Sequence, residues 1–225
     1  SKALFPIGEL LKPDVRRIAE EQGLATATRK DSQGICFVGK VDLPTFLQQK
    51  LTAKKGDIVE IPESYYENLN TSDDLNEISK AFQYKREDGK VLAKHRGAHF
   101  YTIGQRKGLN IGGTGKPMYV IAIDVVENIV YVGKGDDHPG LYRKALFISN
   151  DEMHWVRPDL KLIVGESKDF MVRIRYRQPL QKGTLIAKEE GFYIHFEKLQ
   201  RGIAPGQFAA WYDQNELIGS GVINS

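Results

Sequence analysis

The stretch Tyr119-Val120-Ile121-Ala122-Ile123-Asp124-Val125-Val126-Glu127-Asn128-Ile129-Val130-Tyr131-Val132 decides the fold class. Residues 119–123 and 129–132 are short runs of β-branched and aromatic side chains, and Glu127-Asn128 punctuates them. That pattern predicts two short strands rather than a helix. Residues 58–61, 91–93, 145–148, 172–177, 192–196, 208–212 and 217–222 read the same way. Gly135-Asp136-Asp137 and Asp213-Gln214-Asn215 supply further turn chemistry. Many short strands at fairly regular spacing predict barrels or sandwiches.

Residues 1–50 read differently. Pro13 and Asp14 suit a first helical turn, Val15, Ile18, Ala19 and Gln22 fall on one side, and Gly23 supplies a stop. A second helix is predicted after Asp42, with Leu43, Phe46, Leu47 and Leu51 as its apolar stripe. Between them, residues 25–39 form a strand-and-turn stretch. Two helices of this size bury little by themselves, so the segment is expected to be the end of a larger α/β domain. The expected fold is thus mainly β. A small central β domain (51–116) and a C-terminal β-barrel (117–225) follow a short α/β remnant (1–50), with the division placed near Lys116-Pro117 after Gly112-Gly113-Thr114-Gly115. The acidic stretch 62–81 reads as an insertion or mobile loop.

With 225 residues, 41% hydrophobic and 27% charged, the composition is that of an ordinary globular protein. No apolar run approaches the length of a membrane span and no signal segment opens the chain, so the expected compartment is the cytosol, with no membrane partner. The net charge of +3 is unevenly spread. Every charged residue between Asp57 and Ser79 is acidic, whereas Lys85, Arg86, Lys90, Lys94, Arg96, Arg106 and Lys107 face only Glu87 and Asp88. A second basic run comprises Arg173, Arg175 and Arg177. Such clusters suit a polyanion, and a solvated mixed-charge surface explains them as well.

Several motifs fail as sites. Gly115-Lys116 invites a phosphate-loop reading, but Asn110 stands where glycine is needed, Pro117 where serine or threonine is needed, and a strand follows instead of a helix. No ATP site is expected in this chain. His95 and His99 have a helical ligand spacing on a stretch that is not helical, and read as solvent-facing or hydrogen-bonding histidines. Asp136-Asp137-His138 sits in a turn where aspartates serve the backbone, so no metal is expected. The single cysteine, Cys36, rules out an internal disulfide framework. It stands in Arg29-Lys30-Asp31-Ser32-Gln33-Gly34-Ile35-Cys36-Phe37-Val38-Gly39, where two cations favour a thiolate and small polar residues favour access, while Ile35, Phe37 and Val38 suit a core. On residue chemistry alone the buried reading leads, because free cysteine is among the most buried residue types.

The run Asp31-Ser32-Gln33-Gly34-Ile35-Cys36-Phe37, with Leu4-Phe5-Pro6-Ile7-Gly8-Glu9 and Lys12-Pro13 upstream, resembles the tRNA-specific 2-thiouridylase family. So do Gly104-Gln105-Arg106-Lys107-Gly108-Leu109 with Ile111-Gly112-Gly113, Arg175-Tyr176-Arg177-Gln178, and Pro205-Gly206-Gln207. The resemblance implies an amino-terminal ATP-pyrophosphatase domain, a small central β domain and a β-barrel that helps hold tRNA. It implies that ATP with magnesium, in the full-length enzyme, activates the wobble uridine as an adenylate to which a cysteine persulfide delivers sulfur. Cys36 matches the persulfide-bearing cysteine. Arg175, Tyr176 and Gln207 match positions that meet tRNA, and their chemistry fits: guanidinium for phosphate, ring for stacking, amide for hydrogen bonds. A sulfur-relay donor protein or cysteine desulfurase would load the cysteine. A second family cysteine, which would close a disulfide with Cys36 as the reaction resolves, is missing here, as is the nucleotide-binding loop, and the 62–81 segment is longer than the family suggests. The chain alone is therefore expected to be inactive. One geometric tension stands: in a regular strand Arg173, Arg175 and Arg177 share a face and Tyr176 points to the other, into the core unless the strand bulges or ends. The rival readings are a non-catalytic RNA-binding β module with a structural cysteine and, further off, a thiol redox protein.

Overall fold

The computed structural model describes residues 4–29, 53–68, 72–176 and 178–224. They belong to two compact units, residues 1–51 and 52–225. In the first, helix α1 (Lys12–Glu21) begins with proline in its first turn and has Asp14 near its N-terminus. It ends where Gly23 turns left-handed at φ +66°. There the amides of Gly23 and Leu24 bond back to the carbonyls of Glu20 and Ala19 (2.9 and 2.8 Å), the glycine-dependent closure that satisfies the last carbonyls of a helix. The predicted second helix and Cys36 lie outside the described residues.

The second unit holds two sheets. The smaller is built from β1 (Gly56–Glu60), β2 (Lys90–His95), β3 (Met118–Asp124) and β4 (Ile129–Lys134), in the order β2-β1-β4-β3. β4 is apolar at successive positions because both of its faces are covered: Val130 and Val132 join one core cluster, Ile129 and Tyr131 another. β1 runs parallel to it, pairing Asp57 with Ile129 through Glu60 with Val132, while β2 pairs antiparallel with β1 and β3 antiparallel with β4. The turn expected at Glu127-Asn128 is present. Asp124 Oδ1 accepts the amides of Val126 and Glu127, both at 2.9 Å. Asn128 follows at φ +58°, its buried amide accepting from the Ala98 amide and donating to the Lys54 carbonyl, each at 3.0 Å.

The larger sheet comprises β5 (Tyr142–Ser149), β6 (Met153–Trp155), β7 (Ser167–Arg173), β8 (Gln181–Ala187), β9 (Gly191–Arg201), β10 (Phe208–Asp213) and β11 (Glu216–Val222). Their order is β5-β9-β8-β7-β10-β11-β6. The sheet curls far enough that Asn224, just beyond β11, meets β5: its amide donates to the Phe147 carbonyl (3.0 Å) and its Oδ1 accepts from the Ser149 amide (2.6 Å). Inside lie Leu146, Phe170, Leu185, Ile194, Phe196 and a fully buried Trp211, which meets Trp155 edge-on. The expected fold class, mainly β with a small β domain and a barrel-type sheet, is what the chain adopts.

Three expectations need correction. The division placed after Lys116 is overturned by sheet membership, since β3 and β4 belong to the small sheet and the change of sheet falls between Lys134 and Tyr142. The strand expected over 172–177 stops at Arg173 and begins at Ser167. Nor do residues 62–68 and 72–81 form a loose insertion. Tyr65 and Tyr66 pack on the small sheet's core, the Tyr66 and Tyr84 hydroxyls share a hydrogen bond of 2.5 Å, and a short helix α2 (Leu75–Ser79) is capped by Asp74. From its end the Ser79 carbonyl accepts from the buried Arg143. Burial raises the pKa of both tyrosines, so they are neutral donors within a core.

Two of the histidines are built into the fold. His95 is buried, not solvent-facing, and its Nδ1 accepts the Gly97 amide at 2.9 Å. His138 is buried with Nε2 3.0 Å from the Ile61 carbonyl and Nδ1 3.3 Å from the Gly140 amide, an arrangement that requires the neutral Nε2–H tautomer. Among the described residues no group of three or more His, Cys, Asp or Glu is placed to hold a metal, and no helix is long and apolar enough to cross a membrane.

Candidate nucleic-acid interface

β7 ends at Arg173 because the chain turns to meet its own side chains. The Ile174 amide donates to Gln178 Oε1 (3.2 Å), and the Gln178 amide donates to the Arg175 carbonyl (3.1 Å). Gln178 Nε2 in turn donates to Gln200 Oε1 of β9 (2.8 Å), which anchors the turn to the buried end of the barrel. Ile174 goes into the core and Tyr176 comes out, 87% exposed. The tension over Tyr176 is thereby settled in favour of an outward ring, because the strand has already ended. Arg177 lies outside the described residues.

Arg175 does not hang in solvent. Its Nη2 donates to the Gly202 carbonyl at 2.7 Å. Gly202 is left-handed at φ +65°, and a β-carbon there would overlap Arg175 Nη2. Partial desolvation, and secondarily the neighbouring Arg201, push the Arg175 pKa down. The loop that starts at Gly202 is braced from beneath: Arg143 Nη2 donates to the Ile203 carbonyl (2.9 Å) and the Gly202 amide to the Leu141 carbonyl (2.7 Å). That loop carries Pro205-Gly206-Gln207. Gly206 is left-handed at φ +81° and its amide donates to the Ile223 carbonyl, while the Gln207 carbonyl accepts the Ile223 amide (2.9 and 2.8 Å). Gln207 Oε1 is enclosed with no hydrogen-bond partner among the described residues, so its amide is not spent on the fold.

The small sheet reaches the same place. Residues 104 and 105 run beside β3, the Gly104 amide donating to the Val120 carbonyl (2.7 Å) and the Gln105 carbonyl accepting the Val120 amide (2.9 Å). A β-carbon on Gly104 would lie 4.0 Å from Arg175 Nη2. The stretch Gly104-Gln105-Arg106-Lys107-Gly108, with Arg106 and Lys107 exposed, therefore passes directly by the barrel's arginine. The fold thus brings Gly104, at the start of one basic stretch, beside Arg175 of another that is far away in sequence. Sequence reading missed Arg201 and Tyr119, which pair beside the Gly202 turn, Arg201 Cζ lying 4.8 Å from the centre of the Tyr119 ring. Their only sequence signal is that Arg201-Gly202 leads directly into the Pro205-Gly206-Gln207 run. No ion pair of the described residues involves Arg106, Lys107, Arg173, Arg175 or Arg201, although Arg86, Lys94 and Arg157 all pair with carboxylates elsewhere.

The glycines of the 112–116 stretch are open, with Gly113 and Gly115 left-handed, and the chain leads into β3 rather than into a helix whose amides could face phosphate.

Comparison with known proteins follows this architecture. Residues 80–134 match the tRNA methyl transferase PRC-barrel domain, residues 146–223 the aminomethyltransferase beta-barrel domain, and residues 1–40 the tRNA methyl transferase HUP domain. The first match stops at Lys134, where the small sheet stops. The tRNA-specific 2-thiouridylase MnmA of Christiangramia forsetii is 56% identical over 100% of this chain and 58% of its own length. That of Flavobacterium johnsoniae is 55% identical with the same coverage, and that of Karelsulcia muelleri 45% identical over 99% of this chain and 57% of its own length. The chain belongs to the tRNA-specific 2-thiouridylase family. It spans somewhat over half the length of these family members.

Proposed function

We propose that this chain is the part of a tRNA-uridine 2-sulfurtransferase that carries the sulfur-bearing cysteine and docks tRNA on its β domains. The observation that carries the docking half is the junction where Arg175 is held on the Gly202 carbonyl beside Gly104, the first residue of the stretch bearing the exposed Arg106 and Lys107, none of these cations forming an ion pair among the described residues. Arg175 offers a fixed guanidinium for phosphate, Tyr176 an exposed ring for stacking, and Gln207 an uncommitted amide on a braced loop. The family supplies the other half.

In the complete protein this reading calls for ATP with magnesium to turn the uridine carbonyl into a leaving group. Cys36, as a persulfide, presents the terminal sulfur that attacks the activated carbon. The thiolate of a second cysteine elsewhere in the complete protein then attacks Cys36 Sγ, breaking the persulfide S–S bond so that the outer sulfur stays on the uridine and a disulfide with Cys36 forms. A thiol reductant reopens that disulfide, and the persulfide of a sulfur-relay protein or cysteine desulfurase reloads the free Cys36 thiolate. The working compartment is the cytoplasm. In this reading nucleotide chemistry is assigned to the rest of the protein.

Two measurements test the reading. The 225-residue chain is titrated with tRNA across a salt series, with salt-sensitive binding expected and no binding at low salt removing the β domains from the interface. In the complete protein, Cys36→Ser is expected to abolish thiolation while uridine adenylation and tRNA binding survive, because a hydroxyl of similar size carries no persulfide. Thiolated tRNA at the wild-type rate from the serine variant would make the cysteine structural.

A further inference from the structure

We propose that Arg201 joins Arg175 in holding one backbone phosphate of the RNA, with the Tyr119 ring as the platform that fixes the Arg201 guanidinium. The inference rests on the tRNA-docking reading and adds to it a contact that the family motifs do not mark.

Buried arginines that serve only the fold spend their donors on it, and Arg143 shows the pattern: one Nη donates to the Ser79 carbonyl and the other to the Ile203 carbonyl. Arg201 behaves otherwise. It ends β9 half-buried, yet its Nε and Nη2 are enclosed and have no hydrogen-bond partner among the described residues. What holds it is the face of Tyr119, a contact that orients the guanidinium plane without using any N–H. A guanidinium that is oriented but unspent is arranged for a ligand with several acceptor oxygens.

Its neighbour narrows the ligand. Arg175 is fixed on the Gly202 carbonyl, one residue beyond Arg201; desolvation first, and then the neighbouring Arg201, make its charge costlier to hold, and no carboxylate among the described residues forms an ion pair with it. A single phosphate relieves both cations, since two guanidinium forks match its oxygens. Around the pair lie the exposed Tyr176 ring and the loop bearing Arg106 and Lys107, which suits a polynucleotide better than an isolated anion.

The test is tRNA affinity against salt concentration for the whole 225-residue chain and its Arg201→Gln, Arg201→Lys and Tyr119→Leu variants, with thermal unfolding beside each. Arg201→Gln is expected to weaken binding and to flatten the log–log salt slope by about 0.7 to 0.9, one phosphate contact. Arg201→Lys keeps the charge and hence the slope, while losing affinity several-fold because an ammonium cannot fork. Tyr119→Leu, which leaves the charge but removes its platform, should lower affinity with the slope kept. A purely structural Arg201 would move the unfolding temperature and leave the slope alone. Wild-type slope and affinity in Arg201→Gln overturns the proposal while leaving the docking reading intact. Should that variant not fold, wild-type affinity in Tyr119→Leu overturns it instead. A wild-type chain that fails to bind tRNA brings down both. Stabilisation by inorganic phosphate in wild type but not in Arg201→Gln, with an unchanged tRNA slope, would assign the pair to a small anion and overturn the RNA contact.

Discussion

Arg175 Nη2 donates to the Gly202 carbonyl at 2.7 Å, and the same atom occupies the space that a β-carbon on Gly202 would fill. The barrel's phosphate-binding candidate and its loop are therefore built around one glycine, whose φ of +65° is itself unfavourable for other residues.

Gly202→Ala is expected to act on both counts. The left-handed backbone costs roughly 1–2 kcal/mol with a β-carbon present, and the added methyl pushes Arg175 off its carbonyl. Urea unfolding should show that loss, and tRNA titration should show weaker binding than stability alone explains. A variant of wild-type stability and affinity would mean the contact does not organise the loop.

Arg175→Ala and Gln207→Ala should separate by their salt dependence. Loss of Arg175 removes about one phosphate contact from the slope, whereas an uncharged amide releases no counterion, so Gln207→Ala should lower affinity by roughly 1 kcal/mol at constant slope. Unchanged affinity and slope in both would take the barrel out of the interface.

Tyr176 is 87% exposed, so it contributes little to the fold. Tyr176→Ala should change stability by less than about 0.5 kcal/mol yet weaken tRNA binding by about 1–3 kcal/mol if a base stacks on the ring, and Tyr176→Phe should bind normally. A deficit in Tyr176→Phe equal to that of the alanine variant would show that the hydroxyl, not the ring face, is used.

Arg143 carries a burial prediction. Desolvation pushes its pKa down to about 10, so it remains charged at neutral pH, and it ties the end of α2 to the Ile203 loop through two carbonyls. Arg143→Met leaves both carbonyls without that donor and should destabilise the chain by about 2–3 kcal/mol. Arg143→Lys should recover only part, since one ammonium cannot serve both directions. An Arg143→Met protein as stable as wild type would mean that α2 is held by other contacts.

The buried histidines set a pH dependence. Burial lowers the pKa of His138 below the ordinary 6.5, and Glu63, Asp137 and Glu60, which act the other way, do not offset it. His95 is shifted in the same direction. The unfolded chain therefore binds more protons than the folded one just below pH 6.5, so stability present above that pH is lost as pH falls towards the folded value. The unfolding temperature should be lower at pH 5.5 than at pH 7.5, a window above ordinary carboxylate titration, and His138→Gln should shrink the difference. Equal temperatures in the wild type at the two pH values would contradict this.

By itself, the sequence determined what depends on near neighbours. Pro13, Asp14 and Gly23 bound α1 because they act within a turn of the helix end. The β-branched runs of β3 and β4 and the Asn128 turn are legible because side-chain sterics and a left-handed asparagine are local properties. The motifs at Arg175-Tyr176 and Gln207 are legible by resemblance alone. β8 was not legible, since Gln181, Lys182, Gly183 and Thr184 have little strand preference of their own and are held by pairing on both sides. Only tertiary structure could decide the sheet boundary, because β1 finds its parallel partner β4 some seventy residues away and no local signal encodes that pairing. The same holds for the candidate interface. Whether Tyr176 faces core or solvent depended on Gln178 reaching back to Ile174, and whether Arg201 and the Gly104 loop belong beside Arg175 depended on how two sheets pack, a relation between distant residues that side-chain chemistry along the chain does not contain.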